Sequence, residues 1–81
     1  MSRTVILYTT AGCHLCEQAK SLFWPCAEQF QLRLQEVDIA ESENLVERYG
    51  VKIPVIATQQ GAEIAWPFDQ PQLLSFLKGN E

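Results

Sequence analysis

A short, almost wholly apolar strand pattern passes directly into a long helical pattern near the N-terminus, and this junction limits the fold more than any other feature. Residues 4–9 are β-branched or large, which is typical of a strand buried on both faces. After a turn at Thr10–Gly12, apolar residues recur at helical spacing from Cys13 to Phe30. Strands buried on both faces occur where helices cover the sheet, so the junction predicts an α/β fold.

The rest of the chain continues the alternation of strand and helix patterns. Further strands are predicted at residues 32–39, 53–58 and 62–66, and further helices at residues 42–49 and 69–79. The order βαβαββα makes the first two strands parallel, with a right-handed crossover, and the last two a hairpin. We therefore predict a four-stranded mixed sheet flanked by three helices, with helices on both faces.

Two residues disturb these patterns. Pro25 falls inside the first helical pattern, where a proline removes a hydrogen bond at a cost of about 3 kcal/mol. We therefore expect a kink near Ser21–Leu22, or a helix that stops and restarts around Trp24. At Glu36 the apolar alternation of the second strand changes phase, which indicates a bulge or an edge strand.

Capping residues mark the ends of the two later helices. Ser42 is the expected N-cap of the short helix, and Gly50 is its expected C′ residue. Asp69 is the expected N-cap of the last helix. Gln72 follows it by three residues, which completes the pattern of a capping box.

Length and charge exclude several classes of protein. The 81 residues predict one domain over residues 1–81, and we expect a monomer. With 6 basic and 10 acidic residues the net charge is −4, which argues against binding nucleic acid or an anionic membrane. No apolar run approaches the roughly 20 residues of a membrane span. Val5–Tyr8 is shorter than the apolar core of a signal peptide, so we expect a cytoplasmic protein.

Two of the three cysteines are spaced as Cys13-His14-Leu15-Cys16, at the junction of strand and helix. This spacing in a cytoplasmic βαβ unit indicates redox chemistry. Free N–H groups and the dipole at a helix start stabilise a thiolate at Cys13 and lower the pKa of its thiol. Cys16, less than one turn further on, is expected to be more buried. We therefore predict that Cys13 attacks a disulfide and Cys16 resolves the mixed disulfide.

Metal binding is the main alternative for the pair. A structural zinc site needs about four ligands, and the remaining candidates are His14 and Cys26. Cys26 lies about ten residues along the helix, roughly 15 Å away, which argues against a closed four-ligand site and against a disulfide with Cys16. Because Cys26 falls on the apolar stripe, we predict a buried packing thiol, with a regulatory thiol as the alternative.

The residues around these motifs resemble those of the glutaredoxin-like proteins of the thioredoxin-fold superfamily. The similarity extends over essentially the whole chain and is strongest among small bacterial glutaredoxin-like proteins with a Cys-His-Leu-Cys motif. Its carrying segments are residues 8–16 (YTTAGCHLC), 37–39 (VDI), 49–55 (YGVKIPV) and 66–69 (WPFD). The resemblance implies a thioredoxin-like (glutaredoxin-like) α/β fold.

The resemblance also implies a substrate site opposite the cysteines. Pro54 corresponds to a cis-proline, and the backbone of Ile53 would pair with an extended substrate. Trp66 and Phe68 are candidates for substrate docking, with packing in the core as the alternative, and Asp69 is a candidate for capping a helix or contacting a ligand.

For His14 two interpretations stay open. As an imidazolium it would stabilise the Cys13 thiolate, whereas as an exposed residue at the helix start it would have only a weak effect.

The sequence thus predicts a thiol–disulfide oxidoreductase with Cys13 and Cys16 as catalytic residues, no bound cofactor and no metal. Electrons would come from glutathione or a thioredoxin-type reductase, and the partners would be disulfide-containing proteins or glutathione. The segment Trp66–Asp69 replaces the Gly-Gly-x-Asp with which glutaredoxins hold glutathione, so glutathione binding is left open. The alternatives are an iron–sulfur cluster or metal-binding module and a non-enzymatic interaction domain on the same fold.

Overall fold

The computed structural model describes residues 3–79, in which four strands and three helices follow one another in the predicted order. The strands pair in the order β2-β1-β3-β4, with β1 parallel to β2 and antiparallel to β3, and β3 antiparallel to β4. The α/β fold with a mixed four-stranded sheet is confirmed. The elements are β1 (Arg3–Thr9), α1 (His14–Phe30), β2 (Leu32–Asp38), α2 (Glu43–Tyr49), β3 (Val55–Thr58), β4 (Glu63–Ala65) and α3 (Gln70–Gly79).

The helices lie on both faces of the sheet because successive strand residues point to opposite sides. Leu7 of β1 and Ile56 of β3 pack in one core with Phe23 of α1 and Leu73 of α3. On the opposite face a smaller core forms around Tyr49 of α2, and its other members are Tyr8, Ile39, Leu45, Ile53 and Val55. The sheet is therefore the middle of three layers.

The second strand is an edge strand without a bulge. Its pairing with β1 runs unbroken from Arg3 opposite Leu32 to Thr9 opposite Asp38. Of the two interpretations of Glu36, the edge strand is right and the bulge is wrong. Ile39 does not belong to the strand but begins a 3₁₀ turn, Ile39–Glu41, in which the Ala40 N–H donates to the Asp38 carboxylate at 2.9 Å.

Helix α1 continues through Pro25, so the predicted break around Trp24 is wrong. Pro25 is exposed, whereas Phe23 and Cys26 beside it are buried in the same core as Ala19. Burial of a side chain as large as Phe23 contributes about 1.5–3 kcal/mol, and together with the burial of Cys26 and Ala19 it offsets the hydrogen bond that the proline removes. Cys26 is a buried free thiol, as predicted, and its Sγ lies 3.7 Å from the Leu22 carbonyl oxygen.

The expected caps differ in how they work. Asp69 and Gln72 form a capping box, with the Gln72 N–H donating to Asp69 Oδ1 at 2.8 Å and the Asp69 N–H donating to Gln72 Oε1 at 2.9 Å. Ser42 is the N-cap of α2, but its side chain makes no capping hydrogen bond. Gly50 is the C-cap of α2 rather than its C′ residue, and it keeps right-handed helical geometry; a Cβ there would collide with the Val46 carbonyl.

Candidate active site

Cys13 is the N-cap of α1, and the turn before it brings the chain from β1 into the helix. Gly12 has a φ of 77°, a conformation that favours glycine, and the Cys13 N–H donates to the Thr10 carbonyl at 3.2 Å. Cys13 itself is extended, with φ −75° and ψ 103°. Cys13 and Cys16 form a disulfide, with their Cα atoms 5.3 Å apart.

The two sulfur atoms of this disulfide have different surroundings. Cys16 is 2% exposed and lies within the helix, whereas Cys13 is partly exposed at its start. The Cys16 N–H donates to Cys13 Sγ at 3.1 Å, so a main-chain donor of the first turn points at the outer sulfur. This N–H is one of the free donors at the helix start that the sequence predicts for Cys13. The same donor would stabilise a thiolate at Cys13 after reduction.

Ile53 and Pro54 lie at the same end of the sheet as the cysteine pair. Tyr8 of β1 pairs with Val55 of β3, so the residues that follow β1 and precede β3 lie side by side. Pro54 is buried, and its peptide bond with Ile53 is cis. Strand β3 starts only after Pro54, which has no N–H to donate to the sheet.

Trp66 joins this group through the backbone. Its N–H donates to the Pro54 carbonyl at 3.0 Å, which extends the pairing of β3 and β4 by one step. The Trp66 ring meets Phe68 edge to face, with centroids 5.1 Å apart. The Trp66–Pro67 bond is also cis, a feature that the sequence interpretation did not include.

Phe68 and Asp69 are held by the fold itself. Phe68 is 6% exposed and belongs to the core between α1, α3 and the sheet, so little of its ring can meet a substrate. The Asp69 carboxylate is exposed, but one of its oxygens is engaged in the capping box of α3. Of the residues predicted to bind substrate, Ile53, Pro54 and Trp66 are thus the ones that the backbone pairing brings together at the cysteine end of the sheet.

A cleft of about 430 Å³ opens beside Cys13. One wall comes from the end of β1 and the start of α1, and the other from the end of β2. Its lining residues are Thr9, Thr10, Ala11, Gly12, Cys13, His14, Glu17, Glu36 and Asp38. His14 is exposed in this cleft next to Cys13.

Sequence interpretation missed the carboxylates of the cleft. Glu36 and Asp38 alternate along β2, and their register opposite Leu7 and Thr9 directs both toward the side of α1. Lys20 Nζ lies 3.1 Å from Glu36 and 3.2 Å from Glu17. The hydrogen bond with Glu36, and to a smaller extent the one with Glu17, raises the pKa of Lys20. The sequence signal that could have revealed them is the spacing of Glu36 and Asp38, which lie two positions apart at the end of a strand beside the cysteine pair.

A second polar group lies on the face covered by α2. The Tyr49 hydroxyl donates a short hydrogen bond to Glu63 of β4, and the Tyr49 ring stacks on Tyr8 with centroids 4.1 Å apart. Arg48 lies over the Tyr49 ring at 5.3 Å and 3.9 Å from Glu63. Burial, followed by the hydrogen bond with Glu63, raises the pKa of Tyr49 far above its ordinary value. This group anchors α2 and stands apart from the cysteine pair.

Residues 3–79 contain no set of three or more histidine, cysteine, aspartate or glutamate side chains arranged to hold a metal ion. Nor does any helix in this part of the chain have both the length and the apolar character needed to cross a membrane.

The chain is similar to a known protein family and to solved structures. The family model of the glutaredoxin-like domain (DUF836) matches residues 4–78. Protein XcR50 from X. campestris, known from an X-ray and a solution structure, is 33% identical; the X-ray structure has a TM-score of 0.79, with 93% of this chain and 96% of that chain covered.

Two further solved structures share the fold at lower identity. Protein Ne2328 from Nitrosomonas europaea is 23% identical, with a TM-score of 0.70 over 91% of this chain and 89% of its own. A malarial protein is 16% identical, with a TM-score of 0.69 over 98% of this chain and 97% of its own.

Proposed function

The chain belongs to the family of glutaredoxin-like domains, and we propose on that premise that it is a thiol–disulfide oxidoreductase with Cys13 as the nucleophile and Cys16 as the resolving thiol. The observation that carries the proposal is the Cys13–Cys16 disulfide at the start of α1, with one sulfur beside an open cleft and the other buried. A buried resolving thiol and an outer attacking thiol are what two-step disulfide exchange needs.

The reaction begins from the reduced pair. The Cys13 thiolate attacks one sulfur of the substrate disulfide, the substrate S–S bond breaks, and the first substrate thiolate leaves and takes a proton. Cys16 then loses its proton and attacks the Cys13 sulfur, which releases the second substrate thiolate. The substrate gains two electrons, and the protein is left with the Cys13–Cys16 disulfide.

Substrate positioning is proposed for Ile53, Pro54 and Trp66. An extended substrate would run along the backbone of Ile53, whose N–H is already engaged with the Tyr49 carbonyl at 3.0 Å. Pairing would therefore use the carbonyl oxygen of Ile53. Trp66, half-buried and hydrogen-bonded to Pro54 through its backbone, would border the same site.

The reaction requires a reductant but no resident cofactor. We propose that glutathione or a thioredoxin-type reductase supplies the electrons, that disulfide-containing proteins or glutathione are the partners, and that the protein acts as a monomer in the cytoplasm. His14, exposed beside Cys13, is proposed to tune the thiolate.

Activity assays test the proposal. Reduction of a disulfide such as insulin or bis(2-hydroxyethyl) disulfide is followed with NADPH through two coupling systems, glutathione with its reductase and thioredoxin reductase alone. We expect turnover with one of them and none with Cys13→Ser. The absence of turnover with both systems, or full activity of Cys13→Ser, would contradict the proposal. A visible absorption band in freshly purified protein would instead favour the iron–sulfur alternative.

A further inference from the structure

The cleft beside Cys13 carries carboxylates on both of its walls, one formed by α1 and the other by β2. Glu17 projects from α1, while Glu36 and Asp38 come from the end of β2 on the other side. The walls enclose about 430 Å³, enough for a short side chain or a small disulfide beside the sulfur. Carboxylates on a flat surface would be ordinary solvated groups. Here they line the side of Cys13 away from Ile53 and Pro54, so the part of a substrate that extends past the reacting sulfur on this side lies between them.

The positive groups nearby offset these charges only in part. Lys20 bridges Glu17 and Glu36, with nitrogen–oxygen distances of 3.2 and 3.1 Å, so its single charge is shared between two carboxylates. Asp38 accepts a hydrogen bond from the uncharged Ala40 N–H. His14 is the one lining residue that can become positively charged. The cleft therefore keeps a net negative charge.

We propose that this acidic cleft selects positively charged disulfides, so that the natural substrate is a protein disulfide flanked by lysine or arginine rather than an anionic disulfide such as that of glutathione. The inference rests on the function proposed above, since it assigns a substrate class to Cys13. Selection follows from Coulomb's law. A cation near Glu36 and Asp38 is attracted before the sulfur atoms meet, and an anion in the same position is repelled.

The test uses three disulfides of nearly equal size that differ in charge. They are cystamine with two ammonium groups, neutral bis(2-hydroxyethyl) disulfide, and 3,3′-dithiodipropionate with two carboxylates. Reduced protein is mixed with each, and the formation of the Cys13–Cys16 disulfide is followed by acid quenching and mass spectrometry. Each rate constant is divided by that of dithiothreitol with the same disulfide, which removes differences in leaving group. In every case two protein thiols supply the two electrons that reduce one disulfide.

After this normalisation, we expect cystamine to react about ten times faster than dithiodipropionate at low ionic strength, with the neutral disulfide between them. In about 0.5 M NaCl the ratio should fall to about two, because salt screens exposed charges over a few ångströms. The double variant Glu36→Gln with Asp38→Asn should lower the ratio at low salt to about three. Both changes keep the size of the side chain, and Asn keeps an oxygen that can accept from Ala40.

Glu28→Gln is the control for a negative charge removed outside the cleft. Glu28 is exposed on α1, about 20 Å from the start of the helix, and its substitution removes a negative charge without touching the cleft. It should leave the ratio unchanged. A normalised wild-type ratio of about one, or the same change in Glu28→Gln as in the double variant, would overturn the proposal.

This experiment separates the inference from the proposed function. It measures one stoichiometric oxidation of the cysteine pair, which takes place whether or not the protein turns over in the coupled assays. Turnover without charge selection would refute the acidic cleft as a substrate filter and leave the oxidoreductase intact. Charge selection without turnover would support the cleft and contradict the oxidoreductase.

Discussion

Helices α1 and α3 begin with the same hydrogen bond made by different chemical groups. In α3, Asp69 Oδ1 accepts from the main-chain N–H three residues on, at 2.8 Å; in α1, Cys13 Sγ accepts from the Cys16 N–H at 3.1 Å. At both helix starts, the free N–H donors of the first turn and the helix dipole stabilise a negatively charged group. Aspartate only holds the helix there, whereas a cysteine thiolate in the same position is also a nucleophile.

A position at the start of a helix does not by itself make a redox site. In the α3 cap the hydrogen bonds are reciprocal, because the Asp69 N–H also donates to Gln72 Oε1 at 2.9 Å. The α1 cap instead faces an open cleft and has a second cysteine as its partner. Substitutions at the two helix starts and at Cys26 alter one of these differences at a time.

Cys16→Ser has the largest expected effect because it separates the two steps of exchange. With the resolving thiol absent, Cys13 should remain bound to partner proteins as mixed disulfides, visible as adducts on non-reducing gels that dithiothreitol releases. Cys13→Ser should form no adducts through the buried Cys16. Adducts on Cys16 in that variant would reverse the assigned roles.

Cys13→Asp turns the cap of α1 into the kind found in α3. Asp accepts the hydrogen bond of the first turn but cannot form a disulfide, so disulfide exchange should fall to background. The free energy of unfolding should stay within about 1 kcal/mol of that of the reduced wild-type protein, as measured by urea denaturation. Residual activity would contradict the role of Cys13 as the nucleophile. A much larger loss of stability would contradict its role as a cap that Asp can replace.

Cys26 tests whether a thiol of α1 outside the first turn is reactive. Burial raises the pKa of the Cys26 thiol, and the side chain is closed off from solvent. In the reduced native protein, iodoacetamide should label Cys13 at neutral pH and reach Cys26 only after unfolding. Peptide mapping by mass spectrometry reports both sites. Equal labelling of Cys13 and Cys26 in the native state would remove the contrast between the two parts of the helix.

The same pKa shift predicts a small effect of pH on stability. Because the folded-state pKa of Cys26 lies above its unfolded value, the neutral thiol stabilises the fold at low pH, and this contribution is lost as the pH rises above the unfolded pKa of about 9. The unfolding free energy of the wild type should therefore fall more steeply above that pH than that of Cys26→Ala. Parallel curves from urea melts would contradict it.

Asp69→Ala has the smallest expected effect among the changes to the caps themselves. Loss of the carboxylate leaves the Gln72 N–H without its acceptor and should cost about 1 kcal/mol, or about 4–8 °C in Tm. Asp69→Asn should restore most of the loss, since an amide oxygen also caps. Differential scanning calorimetry measures both variants. If Asn were no better than Ala, the charge on Asp69 and not its capping hydrogen bond would stabilise the start of α3.

Where a feature depends on residues close in sequence, it could be predicted from the sequence. The capping box needs only Asp69 and Gln72 three positions apart, and the redox pair needs only Cys13 and Cys16 with a strand before them and a helix after. The order of strands and helices follows from the two periods of apolar residues, 2.0 and 3.6. These features are local because a single turn of backbone sets their geometry.

Tertiary structure decided what depends on residues far apart in the chain. Pro25 remains inside α1 because the buried side chains on both sides of it pack in one core, and no local rule measures that gain. Of the two interpretations of Phe68, docking and core packing, only its burial between distant elements shows that it lies in the core. Glu36 reaches the cleft of Cys13 only because the parallel register places β2 beside β1. The sequence by itself thus determined the spacing of the cysteine pair and its place at the start of a helix, whereas packing and strand register decided the charge that surrounds it.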